Sequence, residues 1–346
     1  MAEFARTTAV SAVDESFDAW AASILTDAVD RAVLAPSVHN TQPWSFRIHP
    51  ADHPRKLDVR VDRTRQLGAV DPTGRALVQS VGAALLTARV AVASHGWATT
   101  TRRLPDPADP DLLAVVELTD GPADAALAAL GTAVTARHTN RRSFGGDGPD
   151  LAEQQVLRAA AVAEGADLLP ITGGEQHRLL ARLSQLADGR QHQDPAYRAE
   201  LRRWTNRPPS AGDGIVPTAV ARVVGAARED LPGRDFDTRG DGGLPPSSGD
   251  GAEVGLFLLT TVDDDEAAWL RSGEALQRVL LELTRTGWVA SPLTQVLEDP
   301  QTRQALRTQV SWGSWPQSLL RVGHAPPTPA TPRRPQEEVV VDDGRP

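Results

Sequence analysis

Residues 82–97 read GAALLTARVAVASHGW, and residues 273–288 read GEALQRVLLELTRTGW. Both stretches begin with glycine, place Ala-Leu at the third and fourth positions and close on Gly-Trp. A glycine that follows an apolar run of this kind is typical of the end of a helix. Short strands are expected on the flanks of both helices. The repeat therefore predicts two similar α/β units in tandem within one chain, in an overall α+β fold.

Hydrophobic periodicity predicts the elements around these two helices. Helices are expected over Ser16–Leu34, Thr73–His95, Ala123–Arg137, Glu266–Thr286 and Asp299–Gln309, with one more opened by a capping-box pattern at Asp150. Strands are expected over Pro43–Ile48, Leu57–Val61, Ala114–Leu118, Leu168–Ile171, Gly255–Thr261 and Ser318–Val322. The first half is placed at residues 16–120 and the second at residues 121–341. An irregular lid region is expected over residues 188–250, with a short basic helix at Tyr197–Trp204.

The composition excludes several classes of protein. Of 346 residues, 40% are apolar and 23% are charged, which is typical of a globular chain. The absence of cysteine excludes disulfides and thiol catalysis, and a net charge of −9 argues against a nucleic-acid partner. No apolar run reaches the length of a membrane span, and no secretory signal is recognisable. A cytoplasmic protein is therefore expected.

A polar loop between the first helix and the first strand is the first segment that could carry chemistry. Residues 35–44 read APSVHNTQPW and collect a hydroxyl, an imidazole and two amides between prolines. These groups could present donors and acceptors to the edge of a flat heterocycle. The alternative is a turn in which Ser37 and Asn40 bond to nearby backbone groups.

Two later segments are rich in arginine. Residues 137–144 read RHTNRRSF, and charge-assisted hydrogen bonds from these arginines could hold a phosphate. The alternative is a solvated basic patch at the end of a helix, where the helix dipole favours cations. Residues 321–335 read RVGHAPPTPATPRRP, a strand that continues into a proline-stiffened run. Taken alone, that run is typical of a polar C-terminal tail.

Other familiar sites are not recognisable in the sequence. No glycine-rich phosphate loop follows a predicted strand. There is no HExxH pattern, and the histidines at positions 39, 49 and 53 have no carboxylates at ligand spacing, so no metal site is expected. A serine hydrolase would need a GxSxG turn, and none is present.

Taken in this order, the three segments resemble the nitroreductase superfamily of flavin proteins, and in particular its long, internally duplicated Acg-type branch. Residues 36–44 match the pattern PSxxNxQPW. Residues 137–144 match RxSxRxF, with threonine in place of serine and one extra residue before the phenylalanine. Residues 322–339 match the C-terminal signature GYP…R…EEV, with VGHAP at residues 322–326, an arginine at position 333 or 334 and Glu-Glu-Val at residues 337–339. The resemblance implies an internal pseudo-dimer with one composite FMN site per chain.

The resemblance also implies roles for individual residues. The FMN phosphate and ribityl chain are expected on Arg137, Thr139 and Arg141, with Arg333 or Arg334 completing the phosphate site. The ring is expected against a second group of residues in the first half, namely Pro36, Ser37, Val38, Asn40 and Gln42. The flavin N5 is expected near Thr294 and Gln295. Substrate contacts from the lid region are expected from Arg198, Arg202, Arg203 and Trp204, although a solvated basic helix is the alternative for these.

The implied function is an FMN-dependent oxidoreductase. Hydride would pass from NAD(P)H through flavin N5 to an electron-poor small molecule such as a nitroaromatic or a quinone. The alternative is a protein that sequesters FMN under a lid and turns over little. No side-chain catalyst is required, because the flavin brings the chemistry. Neither a nucleic acid nor a membrane is expected as a partner, and the pseudo-dimeric chain could be a monomer or a homodimer.

Overall fold

Two four-stranded antiparallel sheets with the same strand order organise the protein. The computed structural model describes residues 20–49, 55–141, 144–205, 207–220, 222–223, 231, 234, 236, 246–247, 254–326 and 328–341. The strands are Trp44–Ile48 (β1), Lys56–Val61 (β2), Ala98–Arg103 (β3), Leu112–Thr119 (β4), Asp167–Pro170 (β5), Arg222–Val223 (β6), Pro246–Ser247 (β7), Gly255–Thr261 (β8), Val289–Pro292 (β9) and Trp315–Gly323 (β10). The sheets run β1-β2-β4-β3 and β5-β8-β10-β9, and β6 and β7 form a separate short parallel pair.

Helices connect and cover the two sheets. They are residues 20–32 (α1), Arg75–Ser94 (α2), Ala125–Ala128 (α3), Ala133–Ala136 (α4), Leu151–Val162 (α5), Gly174–Gln193 (α6), Pro195–Trp204 (α7), Glu266–Arg285 (α8), Gln295–Glu298 (α9) and Pro300–Gln309 (α10). The first sheet packs on α1 and α2 around one apolar core, and the second packs on α5 and α8 around another.

The two halves have the same topology. In both sheets the first strand pairs with the second, the second with the fourth, and the fourth with the third. A helix of 20 residues joins the second and third strands in each half, α2 in one and α8 in the other. The expected α+β fold with two similar tandem halves is therefore confirmed.

The repeated glycines explain how the halves meet. Helices α2 and α8 cross at Gly82 and Gly273, the equivalent positions of the repeat. A Cβ added at Gly82 would lie 2.1 Å from the Leu270 carbonyl oxygen, and one added at Gly273 would lie 2.0 Å from the Gln79 carbonyl oxygen. No side chain fits at such distances, so both positions require glycine for the helices to approach this closely.

The seam between the halves also carries a network of buried ion pairs. The Glu274 carboxylate on α8 is fully buried and accepts from Arg89 at 2.7 Å and from Arg103 at 2.6 Å. The Glu164 carboxylate, which follows α5, accepts from Arg89 and from Arg278, both at 2.6 Å. Because each buried carboxylate has more than one guanidinium partner, the network ties the first half to the second.

The structure differs from the sequence-based expectations in several elements. The helix expected over Ala123–Arg137 is two short helices, α3 and α4. Gly131 lies between them and packs so closely that a Cβ would be 2.3 Å from the Ser94 hydroxyl oxygen. The short strands β3 and β9 were not expected, and neither was α6, which continues to Gln193 and so includes the start of the expected lid region.

Some expected features fall outside the described residues. These are residues 16–19, at the expected start of the first half, and most of residues 221–253 within the expected lid region. Within the described residues, one helix, Arg75–Ser94, has the length and apolarity of a membrane span, but 83% of its apolar window is buried inside the protein. That burial is typical of a core helix.

Candidate functional site

The loop between α1 and β1 has an unusual backbone. His39, Asn40 and Gln42 adopt positive φ angles of 48°, 55° and 50°. Left-handed backbone is uncommon for residues other than glycine, although asparagine and histidine adopt it more readily than most. Each such residue costs about 1–3 kcal/mol and persists only where the surrounding structure enforces it. Three of them within four positions mark this loop as a candidate site.

Side-chain amides hold the loop in this conformation. Asn40 Nδ2 donates to the Gly214 carbonyl at 2.9 Å and to the Pro332 carbonyl at 3.1 Å. Gln42 Nε2 donates to the Gly212 carbonyl at 2.7 Å, and Gln42 Oε1 accepts from the Arg334 backbone N–H at 2.8 Å. Both amides are buried and join the loop to two distant segments of the chain.

Three arginines lie beside this loop, Arg137 buried and Arg141 and Arg333 partly buried. Arg137 and Arg333 both donate to the Leu34 carbonyl, at 3.3 Å and 3.2 Å. Nitrogen atoms without a hydrogen-bond partner remain on all three guanidinium groups: Nε and Nη1 of Arg137, Nη1 of Arg141 and Nε of Arg333. Among the described residues, no carboxylate lies within 4 Å of these three groups. Buried donors without acceptors are costly, so this donor set is suited to binding an anionic group.

The electrostatics of the arginines support the same conclusion. Burial lowers the pKa of Arg137 to about 9, with the neighbouring Arg333 and Arg141 adding to the effect. Burial also lowers the pKa of Arg141 to about 10, assisted by Arg234, and that of Arg333 to about 10, assisted by Arg141. All three therefore remain cations at neutral pH, in mutual repulsion that a bound dianion would relieve.

A cleft brings these groups from both halves together. It encloses about 350 Å³, its open mouth included. It is lined by Pro36, Ser37 and Asn40 from the first half, and by Arg137, His138, Thr139, Arg141, Pro329, Thr331 and Arg333 from the second. The structure therefore brings the polar loop and both arginine-rich segments of the sequence together around one cavity.

Three further expected residues lie near the cleft but do not line it. Val38 donates its backbone N–H to the Ser80 hydroxyl at 3.1 Å and packs on an apolar cluster. Gln42 is fully buried and holds the loop, as described above. The Arg334 guanidinium turns to Glu338, donating to its backbone oxygen at 2.8 Å. Of the two candidate C-terminal arginines, Arg333 is therefore the one at the cleft.

The residues expected near the flavin N5 are hydrogen-bonded to side chains away from the cleft. Thr294 Oγ1 accepts from Arg234 Nη2 at 3.0 Å, and Gln295 Nε2 donates to Asp188 at 2.7 Å. Arg234 in turn forms a buried ion pair with Glu298 at 2.6 Å. Neither Thr294 nor Gln295 lines the cleft.

The four expected lid contacts are not brought into the cleft either. Arg198, Arg202 and Arg203 are exposed on α7, and Trp204 is 8% exposed within an apolar cluster that includes Leu201. The Arg65 and Arg207 guanidinium groups lie 5.6 Å and 5.7 Å from the centre of the Trp204 ring.

Sequence reasoning missed two residues of this region. Arg234 lies in a stretch without periodicity, and its partner Glu298 is far along the chain, so no local pattern announces the pair. His39 was counted among the donors and acceptors of the polar loop but was given no individual role at the site, yet it is buried and neither ring nitrogen has a partner. Its position inside a polar loop flanked by prolines was the available signal.

The reciprocal position in the fold has a different character. A constant shift of 191 residues relates Gly82 to Gly273, and the same shift relates Arg103 to Thr294. Arg103 belongs to the ion-pair network of Glu274, and its Nη2 lies 3.8 Å from Glu164. Only residues 163–166 separate α5 from β5, where the first half has the long polar loop. The Glu164 carboxylate therefore lies in the connection that corresponds to the polar loop of the first half.

Comparison with known proteins identifies the family. No family model matches the chain. The chain is 38% identical over 323 residues to "Putative NAD(P)H nitroreductase Rv3131" of Mycobacterium tuberculosis H37Rv, an alignment that covers 89% of this chain and 88% of the relative. It is 35% identical over 326 residues to "Putative NAD(P)H nitroreductase acg" of the same strain, which covers 91% and 95%. An FMN-bound nitroreductase from Desulfitobacterium hafniense aligns with a TM-score of 0.39 at 11% identity, over 62% of this chain and 98% of that one. At this identity and coverage to the two relatives, the chain belongs to the Acg-type branch of the nitroreductase superfamily.

Proposed function

We propose that this protein is an FMN-dependent oxidoreductase that passes hydride from NAD(P)H through flavin N5 to an electron-poor acceptor of the nitroaromatic or quinone type. One observation carries the proposal: Arg137, Arg141 and Arg333 converge on one cleft, and each has at least one buried nitrogen without a hydrogen-bond partner. That donor set fits the phosphate dianion of FMN. The names of the two relatives support NAD(P)H as the reductant.

The residues of the cleft divide the work of binding. Arg137 and Arg333, fixed by the Leu34 carbonyl, would hold the phosphate, and Arg141 and Thr139 would meet the ribityl chain. Pro36, together with Ser37 and Asn40, would bound the other side of the cofactor. The bound flavin supplies the redox chemistry, so this chain contributes position and charge and needs no side-chain nucleophile.

His138 is the other titratable group that lines the cleft. Its pKa is lowered by burial first and then by the neighbouring guanidinium groups of Arg137 and Arg333. His138 is therefore neutral at pH 7 and adds no charge to the phosphate site.

A second candidate function, FMN sequestration with little turnover, is favoured by the anchoring of residues 212–214. These residues accept from Asn40 and Gln42, and Asp213 pairs with Arg65 at 2.6 Å. A segment fixed at three points beside the cleft could restrict the approach of an acceptor to the ring.

Reduction kinetics separate the two functions. The purified protein, saturated with FMN, is mixed with NADH or NADPH in a stopped-flow instrument, and the flavin absorbance is followed near 450 nm. Rapid bleaching, followed by recovery on addition of a quinone, supports the oxidoreductase. A flavin that stays oxidised at millimolar nucleotide supports sequestration. A protein that binds no FMN would refute both.

Adjacent arginines provide a matched test of the cofactor site. Arg333→Met should weaken FMN binding roughly 10- to 150-fold, because a charge-assisted hydrogen bond contributes about 1.5–3 kcal/mol. Arg334→Met should have a much smaller effect, since its guanidinium faces Glu338. The exposed Arg158, paired with Asp167 at 2.7 Å, supplies the control Arg158→Met. Equal losses for Arg333→Met and Arg158→Met would contradict the assignment.

Three broader assignments belong to the same proposal. We place the boundary between the halves at residues 120 and 121, between the end of β4 and the start of α3. The protein is proposed to be cytoplasmic and to form its flavin site within a single chain, as a pseudo-dimeric monomer or as a homodimer of such chains. Sedimentation of the FMN-bound protein measures the oligomeric state, and cell fractionation tests the location.

A further inference from the structure

His39 is a buried polar residue that the proposed function leaves unused. Its side chain is only 6% exposed, and neither Nδ1 nor Nε2 has a hydrogen-bond partner. Leaving a buried polar group unsatisfied destabilises the folded protein. The residue also has a φ of 48°, which adds backbone strain. His39 thus combines unsatisfied nitrogens with a strained backbone, in a loop that the side chains of Asn40 and Gln42 hold in place. This combination points to a ligand that binds to the imidazole.

The neighbours of His39 locate it relative to the cleft. His39 does not itself line the cavity, but it lies between Ser37 and Asn40, which do. Arg141, which also lines the cavity, and Arg234, which bonds to Thr294, are the two charges that act on it. The phosphate pair Arg137 and Arg333 is anchored elsewhere, at Leu34. His39 therefore lies toward the end of the site that the cofactor ring would occupy.

The protonation state defines what His39 can bind. Burial, and then the Arg234 and Arg141 guanidinium groups, lower the pKa of His39 well below its ordinary value. A neutral imidazole carries one N–H donor and one lone-pair acceptor. Its two ring nitrogens point in divergent directions, so one planar ligand edge meets only one of them, either as an acceptor for the N–H or as a donor to the lone pair. The pyrimidine edge of a flavin ring fits either case, with carbonyl oxygens next to an N–H group, whereas a phosphate dianion offers acceptors only.

We propose that His39 is a positioning residue for the cofactor, whose neutral imidazole binds the pyrimidine edge of the isoalloxazine ring. The proposal rests on the proposed function and adds a ring contact to the phosphate contacts described above. Because the left-handed backbone fixes where the imidazole lies, the loop would set the orientation of the ring as well as its affinity. A hydrogen bond from the flavin to one of the unsatisfied nitrogens would offset part of the cost of the strained loop.

Two probes separate the ring from the phosphate. Riboflavin carries the ring without the phosphate, and inorganic phosphate is the opposite case. In ¹⁵N-histidine spectra of the flavin-free protein, riboflavin should shift both ring-nitrogen resonances of His39, and phosphate should shift them far less. His39→Asn assigns the resonances, and asparagine tolerates the positive φ. Riboflavin binding that leaves the His39 resonances in place would overturn the proposal.

Binding to the variant gives an independent measure. His39→Asn should weaken riboflavin binding roughly five- to tenfold, as expected for one or two neutral hydrogen bonds, and leave phosphate binding within twofold. It should also shift the absorbance maximum of bound FMN. The control is His95→Asn, a surface histidine that pairs with Asp27 at 2.9 Å. Unchanged riboflavin binding, or equal losses for both probes, would refute the role of His39. A wild-type protein that binds neither riboflavin nor FMN would instead refute the proposed function.

Discussion

Replacing Arg137 by methionine should stabilise the flavin-free protein while weakening its cofactor binding. Methionine keeps an unbranched chain of similar length and removes the charge. In the structure, Arg137 is 5% exposed, donates to the Leu34 carbonyl at 3.3 Å and has two unpartnered nitrogens. Most substitutions of buried residues destabilise a protein. The opposite sign is expected here because the native residue is a buried cation among other cations.

The magnitude follows from the pKa. Burial, then Arg333 and Arg141, lower the pKa of Arg137 from 12.5 to about 9. At about 1.4 kcal/mol per unit, the folded protein bears a penalty of up to ~5 kcal/mol for keeping this charge. Removing the charge removes this penalty, but losing the hydrogen bond to Leu34 destabilises the variant by about 1 kcal/mol. We therefore expect the free energy of unfolding of the flavin-free protein to rise by about 2–4 kcal/mol.

Urea denaturation of the flavin-free protein measures this change. Arg158→Met is the control and should leave the free energy of unfolding nearly unchanged, because its ion pair is exposed. Inorganic phosphate should stabilise the wild type and stabilise Arg137→Met much less, since ligands stabilise only the form that binds them. If Arg137→Met were less stable than the wild type without any ligand, the guanidinium would be satisfied within the protein and the anion site would be wrongly placed.

The remaining predictions concern the seam and the core. Gly273→Ala should destabilise the protein by about 3 kcal/mol or more, because its Cβ would lie 2.0 Å from a backbone oxygen. The control, Gly189→Ala on α6, has open space and should stabilise by about 0.5–1 kcal/mol in the same urea titrations; two similar midpoints would contradict the close helix crossing. Glu274→Gln should cost about 3–5 kcal/mol, since it leaves guanidinium groups buried without a full counter-charge, and it should create no second flavin site by absorbance titration. Burial would raise the pKa of Asp264, but hydrogen bonds from Arg303 and Trp269 outweigh burial and lower it to about 2. Asp264→Asn should therefore lower the free energy of unfolding by about 1–2 kcal/mol at pH 7. The difference in unfolding free energy between variant and wild type should shrink as the pH falls from about 4 toward 2. A difference that stays constant over that range would show that the ionised carboxylate is not the stabilising form.

The parts of the fold that the sequence predicts are those with local, repeated patterns. The Gly-Trp endings and the apolar periodicity of α2 and α8 identify the duplication, and Gly82 and Gly273 turn out to be the contact between the copies. Strand β3, residues 98–103, reads ATTTRR and lies at a sheet edge, so it lacks the apolar alternation of a buried strand. Strand β9 has four residues, too few for a period to appear.

The candidate site shows the same division. Sequence motifs name Arg137, Arg141 and the loop at Asn40, and the structure brings them to one cleft. The choice of Arg333 over Arg334 depends on which way each side chain turns after a run of prolines, which no spacing rule decides. Asn40 illustrates a further limit, because its two amide hydrogens are used by backbone carbonyls of distant segments. Such long-range partners are fixed only by the folded chain.

The fusion of the halves has a consequence for how the protein behaves on dilution. In a two-chain arrangement, the two walls of the cleft would separate when the chains dissociate, and occupancy would then fall at low protein concentration. Here the closely crossed helices and the polypeptide itself keep both walls at a high effective concentration. The fraction of the protein that carries its ligand should therefore depend on the ligand concentration alone, even when a cell contains only a few copies of the protein.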